Sequence, residues 1–254
     1  MGSSVWVALA LSALAGLATT IGSLLGLVVR RPGPRFMALS LGFSAGVMVL
    51  VSFVELLPRG IEAAGYLAGV GAFFGGMVLM LVLDFLIPHQ YKAEKSEGLN
   101  RPGSPVLMRT GLLVALGIGI HNLPEGMAAF AGALQDVRLG VAIAVAIGIH
   151  NIPEGLAVSV PIYAATGSRK KAFVWSFLSG VTEPIGAGLA AFLLMPFLTP
   201  VVLGYVLAAV AGVMVFISFD ELVPVANSYG HEHLAIVGAI AGMAVMALSL
   251  AMLA

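Results

Sequence analysis

The chain predicts an all-α integral membrane fold of eight transmembrane helices. Three observations carry that expectation. Hydrophobic residues fill 60% of the 254 positions and charged residues only 9%, against about 25% charged in an ordinary soluble domain. The apolar residues fall into eight runs of spanning length. The Lys and Arg residues collect on alternate connections between those runs. This composition excludes a soluble globular enzyme and a disordered chain, and the absence of Cys excludes a disulfide scaffold. Twelve Lys plus Arg balance twelve Asp plus Glu with no basic stripe. Nucleic acid is therefore excluded as a partner, and the lipid bilayer is expected as one.

A membrane-spanning helix needs about 20 apolar residues. The runs are 5–29, 36–57, 66–87, 110–134, 139–163, 172–195, 201–225 and 234–253. The first has the position of a secretory signal, but no positive residue precedes it and Arg30 and Arg31 follow it. It is expected to be a retained span. The second starts after the Pro-broken basic turn Arg30 to Arg35. The third carries Gly71 and Gly75, a spacing compatible with close helix packing or with dimerisation through the membrane. The longest connection, His89 to Arg109, leads to the fourth run. A turn from Ala165 to Lys171 divides the fifth from the sixth. No stretch remains for a second domain, so 1–254 reads as one transmembrane unit.

Orientation follows from the basic residues. Arg30, Arg31, Arg35, Lys92, Lys95, Arg101, Arg109, Arg169, Lys170 and Lys171 fall on one side, and only Arg59 and Arg138 on the other. The positive-inside rule puts the first set in the cytoplasm, with both termini outside it.

Two internal repeats stand out. Gly119-Ile120-His121-Asn122-Leu123-Pro124-Glu125-Gly126 in the fourth run matches Gly148-Ile149-His150-Asn151-Ile152-Pro153-Glu154-Gly155 in the fifth. Ala45 to Val49, Ser52, Phe53, Glu55, Leu56 and Pro58 in the second match Ala211 to Val215, Ser218, Phe219, Glu221, Leu222 and Pro224 in the seventh. Both pairs lie an odd number of runs apart, so their members cross the membrane in opposite directions. This predicts a 3+2+3 inverted repeat, an organisation used for alternating access. The first and sixth runs match weakly, with Thr19 opposite Glu183.

His121 and Glu125 are four residues apart and share a helix face, as do His150 and Glu154. Pro124 and Pro153 remove the donors that would reach the carbonyls of Ile120 and Ile149, so kinks are expected there. His121, His150 and Glu183 each lie eleven residues into their runs. His121, Asn122, Glu125, His150, Asn151, Glu154 and Glu183 can thus converge near the midplane. A charge at the bilayer centre costs at least about 2.5–3.5 kcal/mol. No Lys or Arg lies within these runs to pair with the three acids. They must be protonated or neutralised by a cation. Imidazole, amide and carboxylate donors suit a divalent transition metal, with zinc first and iron, manganese or cadmium as alternatives. The donors outnumber the four of a closed structural zinc site, and two adjacent metals bridged by Glu125 and Glu154 would use them fully.

Met48 and Met214 read either as core packing or as symmetric soft ligands. Glu55, Asp220 and Glu221 lie near span ends, either attracting cations to a mouth or simply solvated. His89, His231 and His233 fall on the cytoplasmic side.

The paired His-Asn-x-Pro-Glu-Gly motifs, with Glu183 in Ser179-Gly180-Val181-Thr182-Glu183-Pro184, resemble the Zrt/Irt-like (ZIP) family of divalent metal transporters, in its short-loop bacterial branch. The resemblance spans the whole chain. It implies eight spans with both termini outside, and a one- or two-metal site at His121, Asn122, Glu125, His150, Asn151, Glu154 and Glu183. It implies uptake toward the cytoplasm across a bacterial inner membrane, with metal as substrate and no resident cofactor. Met48 and Glu55 match positions linked to the inner site and its outer entrance. Spans one, four, five and six are implied to move as a bundle against two, three, seven and eight. The connection before the fourth span lacks the His-rich tract of many eukaryotic members, and there is no extracellular domain, so a homodimer would form through the membrane region. Three alternatives stand beside an importer. An intramembrane metallohydrolase would need a motif such as His-Glu-x-x-His, which is missing. A passive cation channel differs by rate, and an exporter only by direction. No phosphate-binding Gly-x-x-x-x-Gly-Lys motif is present for direct ATP drive.

Overall fold

The computed structural model of the chain describes residues 2–28, 33–86, 105–194, 197 and 199–253. Among them the chain forms eight long helices and no strand. They are α1 (Gly2–Val28), α2 (Pro34–Ala64), α3 (Tyr66–Leu86), α4 (Pro105–Gln135), α5 (Val137–Thr166), α6 (Arg169–Leu194), α7 (Pro200–Ser228) and α8 (Glu232–Leu253). Each expected apolar run lies along one helix. Most helices extend past their run by a few residues, because backbone hydrogen bonding continues into polar flanks where the apolar run stops. Seven of the eight are long and apolar enough to cross a membrane among the described residues, and the remaining one, α4, has 31 residues. The ends carry ordinary signals. Asp136 accepts from Arg138 N–H at the start of α5, Gly167 ends that helix in the left-handed region at φ 63°, and Thr199 accepts from Val202 N–H ahead of Pro200.

Polarity is inverted relative to a water-soluble bundle. Trp6, Leu67, Phe85, Phe192 and Met252 point outward, while Ser12, Thr19, Asn122, Glu125, His150, Asn151, Glu154 and Glu183 are buried. An apolar exterior around a polar interior fits hydrocarbon as the solvent.

The helices sort into two groups. In the first, α1 packs on α5 and α6, and α4 packs on the same two. In the second, α2 packs on α8 and α7, and α3 packs on α7. Fewer contacts join the groups, chiefly α2 with α5 and α4 with α7. An apolar cleft of about 570 Å³, lined by residues including Leu79, Leu116, Leu123 and Trp175, opens where α3 and α4 part.

Small residues set the close contacts. A Cβ on Gly22 of α1 would collide with the carbonyl of Ile152 on α5, and one on Gly155 with the carbonyl of Thr19. The α4–α6 pair repeats this, with Gly186 against the carbonyl of Leu123 and Gly126 against that of Glu183. In the second group, Gly46 faces the carbonyl of Ala239 and Gly242 that of Phe43, while Gly76 faces Ala209 and Gly212 faces Phe73. Without a hydrophobic drive between helices in lipid, such backbone approach is a main source of association. Gly71 and Gly75 differ: both are exposed and a Cβ there meets nothing within 4 Å. They make no close packing within the described chain.

Both α2 and α7 contain one wide π turn, at Ser52–Leu56 and Ser218–Leu222. Leu57 N–H bonds back five residues to Ser52 O, and Val223 N–H to Ser218 O. The Ser52 and Ser218 hydroxyls donate to the carbonyls of Met48 and Met214, at 2.7 and 2.8 Å. Pro58 and Pro224 follow at the same spacing and lack the N–H that an unbroken ladder needs. Such turns are frequent at functional sites. By contrast α4 and α5 stay α-helical through Pro124 and Pro153, although each proline leaves one rung of the ladder unmade.

The glycine contacts yield a stability prediction. Gly212→Ala should destabilise the folded chain by about 1–3 kcal/mol, as overpacking does. Gly71→Ala should leave stability unchanged or raise it. Thermal unfolding of the two variants in detergent distinguishes them.

Candidate metal site

The middle of the first helix group holds the polar residues that the repeats single out. Asn122 and Glu125 come from α4, His150, Asn151 and Glu154 from α5, and Glu183 from α6. All six are fully buried. The side chain of His121 lies outside the described residues, as does His89.

Contacts cross between helices. His150 Nε2 lies 3.0 Å from Glu125 Oε1. Asn151 Nδ2 donates to Glu183 Oε2 at 2.8 Å and to the carbonyl of Ala15 at 3.1 Å. Asn122 Nδ2 donates to the carbonyl of Ser179 at 3.1 Å. Ser44, on α2, brings its hydroxyl to 3.3 Å from Glu154 Oε1 and 3.2 Å from the carbonyl of His150. Glu125 meets His150, Glu183 meets Asn151 next to it on α5, and Glu154 follows one turn later on that helix. Three carboxyl groups therefore share one buried region.

The unused atoms define what this region can do. Asn122 Oδ1, Glu125 Oε2, Asn151 Oδ1 and Glu183 Oε1 are buried and have no hydrogen-bond partner among the described residues. All four are acceptors. Both amides spend their N–H groups on backbone or carboxylate oxygens, which leaves their oxygens free. A buried acceptor without a donor costs about 1–3 kcal/mol, and more when charged. A divalent cation removes that cost at several atoms together, and no Lys or Arg lies within these spans to do so in its place. Oxygen donors joined by imidazole fit borderline metals such as zinc better than Ca²⁺ or Mg²⁺. Among the described residues no three His, Cys, Asp or Glu side chains stand together in an arrangement that could hold a metal ion. Glu125 and His150 are turned toward each other, so a metal using both has to part them.

The outlying candidates fall elsewhere. Met48 and Met214 are fully buried, each at the residue whose carbonyl takes the hydroxyl of the π-turn serine. Glu55 sits inside the π turn of α2 and pairs with Arg59 at 3.2 Å. In the π turn of α7, Asp220 is exposed and Glu221 buried. His231 and His233 lie at the start of α8, away from the midplane group.

Ser44 and the two π turns were not among the sequence-based expectations. The signals that could have found them are the matched Ser-to-Pro spacing in α2 and α7, and the position of Ser44 one turn before Met48.

Comparison with known proteins covers the same stretch of chain. The profile described as ZIP Zinc transporter matches residues 89–250, which include both paired motifs and Glu183. A zinc transporter ZupT of Streptococcus mutans is 51% identical over 263 residues, covering 98% of each chain. The ZupT of Chlorobium phaeovibrioides is 54% identical, covering 99% of this chain and all of the relative. That of Chlorobium luteolum is 55% identical with 99% of both covered. The chain belongs to the ZIP zinc transporter family. ZIP proteins are membrane transporters rather than enzymes, which sets aside the intramembrane hydrolase. The buried acceptor set now has a family whose cargo is a metal cation.

Asn151 tests the ZIP site. It offers an acceptor oxygen and also holds Glu183, and loss of such a group typically weakens metal binding about 10–100-fold. Asn151→Ala should show that loss in a zinc titration of the purified protein. Unchanged affinity would contradict the assignment.

Proposed function

We propose that this ZIP protein imports zinc, or a related divalent metal such as iron, manganese or cadmium, into the cytoplasm through the buried midplane site. The ligands are His121, Asn122, Glu125, His150, Asn151, Glu154 and Glu183, and they hold one metal or two adjacent ones. The carrying observation is three buried carboxyl groups and two buried amides, four of whose oxygens have no hydrogen-bond partner among the described residues, in spans that hold no Lys or Arg. The zinc named for the curated relatives supports the choice of cargo.

The metal replaces water with fixed oxygens and nitrogens, and is released when their geometry changes. A carrier's site must be strong enough to load and open enough to unload. The mutual contact of Glu125 and His150 gives this site an alternative arrangement without metal. The motion is alternating access, with α1, α4, α5 and α6 moving against α2, α3, α7 and α8. The sparse packing between these groups and the cleft at α3 and α4 support that division.

An inverted 3+2+3 repeat organises the chain, relating α1–α3 to α6–α8 and α4 to α5. Its support is the pairing of contacts. Gly22 with Ile152 corresponds to Gly186 with Leu123, and Gly76 with Ala209 corresponds to Gly242 with Phe43. Gly16 and Gly180 face each other, and a Cβ on either would lie 2.6 Å from the other's carbonyl oxygen. The π turns of α2 and α7 fit the same relation.

Eight spans place both termini outside the cytoplasm and the basic connections within it. The cell membrane is the site of action, and a homodimer would use exposed membrane faces such as that of Gly71 and Gly75. Glu55 stands at the outer mouth and Asp220 with Glu221 at the inner one, while Met48 and Met214 line the path.

Zinc entry into proteoliposomes holding a metal-sensitive dye tests this function. The native protein should give saturable entry, which the Glu125→Ala/Glu154→Ala double variant loses. Glu183→Gln should slow entry without abolishing it. Equal entry by native protein and double variant would exclude the paired motifs as the path.

A further inference from the structure

The buried polar bonds of this protein mostly stay within one helix group. Ser12 donates to the carbonyl of Glu183, Ser176 to those of Thr19 and Gly155, and Asn122 and Asn151 bond within α1, α4, α5 and α6. Ser44 is different. It belongs to α2, whose main partners are α7 and α8, and its hydroxyl reaches Glu154 on α5. We propose that Ser44 is a positioning residue that aims the Glu154 carboxylate and so makes metal affinity depend on how α2 is docked against α5. This rests on Glu154 being a metal ligand.

Ser44 is fully buried, so water does not compete for its proton. The hydroxyl has one proton and two acceptors, Glu154 Oε1 at 3.3 Å and the carbonyl of His150 at 3.2 Å. An ionised carboxylate is the stronger acceptor of the two. A bond to one carboxylate oxygen restricts rotation of the group and aims the other. Partners that orient ligands in this way typically govern metal affinity about 10–100-fold.

Register makes the contact specific to one acid. Met48 matches Met214 in the repeat, so Ser44 matches Val210. Val210 has no hydroxyl to give the fourth helix, and Glu125 is met there by His150 instead. The two motif acids thus have different supports. Sliding α2 along α5 by one residue, about 1.5 Å, is enough to take a 3.3 Å contact out of hydrogen-bond range. Glu154 is then released from its aim, and affinity falls in that state. A ligand that binds two states unequally shifts their balance, so the same contact lets metal favour the docked arrangement.

The test uses the full-length purified protein with Ser44→Ala and Ser44→Thr. Two quantities are read against zinc concentration: thermal stabilisation in detergent and initial entry into proteoliposomes. Ser44→Ala should raise the half-saturating zinc at least about 10-fold in both, with little change in maximal entry or in metal-free melting temperature. Ser44→Thr, which keeps the hydroxyl, should restore native zinc dependence. A lower metal-free melting temperature with unchanged half-saturating zinc would overturn the proposal, since Ser44 would then merely tie α2 to the His150 carbonyl. Should Ser44→Ala not fold, Ser44→Cys keeps the volume with a much weaker donor and is held to the same two outcomes. A native protein with no saturable zinc response would overturn the underlying site, whereas a native response shared by Ser44→Ala overturns the role of Ser44 alone.

Discussion

Three carboxyl groups buried together, with no Lys or Arg beside them, set the terms for the rest of this structure. Glu125, Glu154 and Glu183 lie on three different helices and are fully buried. Taking one carboxylate out of water costs several kcal/mol after relaxation, and mutual repulsion adds to it. The amide groups of Asn122 and Asn151 supply some compensation, but they turn their oxygens toward the same interior. That leaves a region rich in acceptors and poor in donors. A mobile cation would complete it in the proposed mechanism, and a cation that can leave is what separates a transport site from a structural one.

The surrounding packing follows from holding those acids on separate helices at one depth. Glycine-to-carbonyl contacts bring α1 onto α5 and α4 onto α6, within a turn or two of the motif residues. Gly126 and Gly155 close the motifs themselves, each against the backbone of the neighbouring helix at Glu183 and Thr19. A side chain at either place would separate the helices that carry the buried acids. The second group, built on α2–α8 and α3–α7, uses the same device away from the acids. The polar network thus concentrates in one group, while the other presents a largely apolar face. Such a face costs little to slide, and the bond from Ser44 to Glu154 ties the two faces together.

Much of this architecture was legible in the sequence because each strong signal rests on a large energy. Eight apolar runs follow from the cost of exposing backbone and charge to hydrocarbon, and each run lies along one helix. The paired motifs and Glu183 announced a buried polar cluster for the same reason, and six of their side chains lie in the interior. What the sequence did not disclose depends on rotation and tilt. Nearly every helix face is apolar, so periodicity does not say which way a helix turns. Hence the contact of His150 with Glu125, the reach of Ser44 to Glu154 and the pairing of Glu55 with Arg59 became apparent only in three dimensions. The π turns escaped because their cause is local: a serine hydroxyl on a carbonyl four residues back, then a proline without an N–H. Helix ends ran past the apolar runs because intrahelical hydrogen bonds, rather than hydropathy, decide where a helix stops.

The central claim is that oxygen and imidazole donors from α4, α5 and α6 hold the metal. X-ray absorption at the zinc edge, on the native protein loaded with zinc, tests it most directly. The account predicts a first shell dominated by nitrogen and oxygen at about 2.0–2.2 Å, with imidazole scattering that falls in His150→Ala. Zinc whose spectrum lacks imidazole scattering, or is unchanged by His150→Ala, would contradict it.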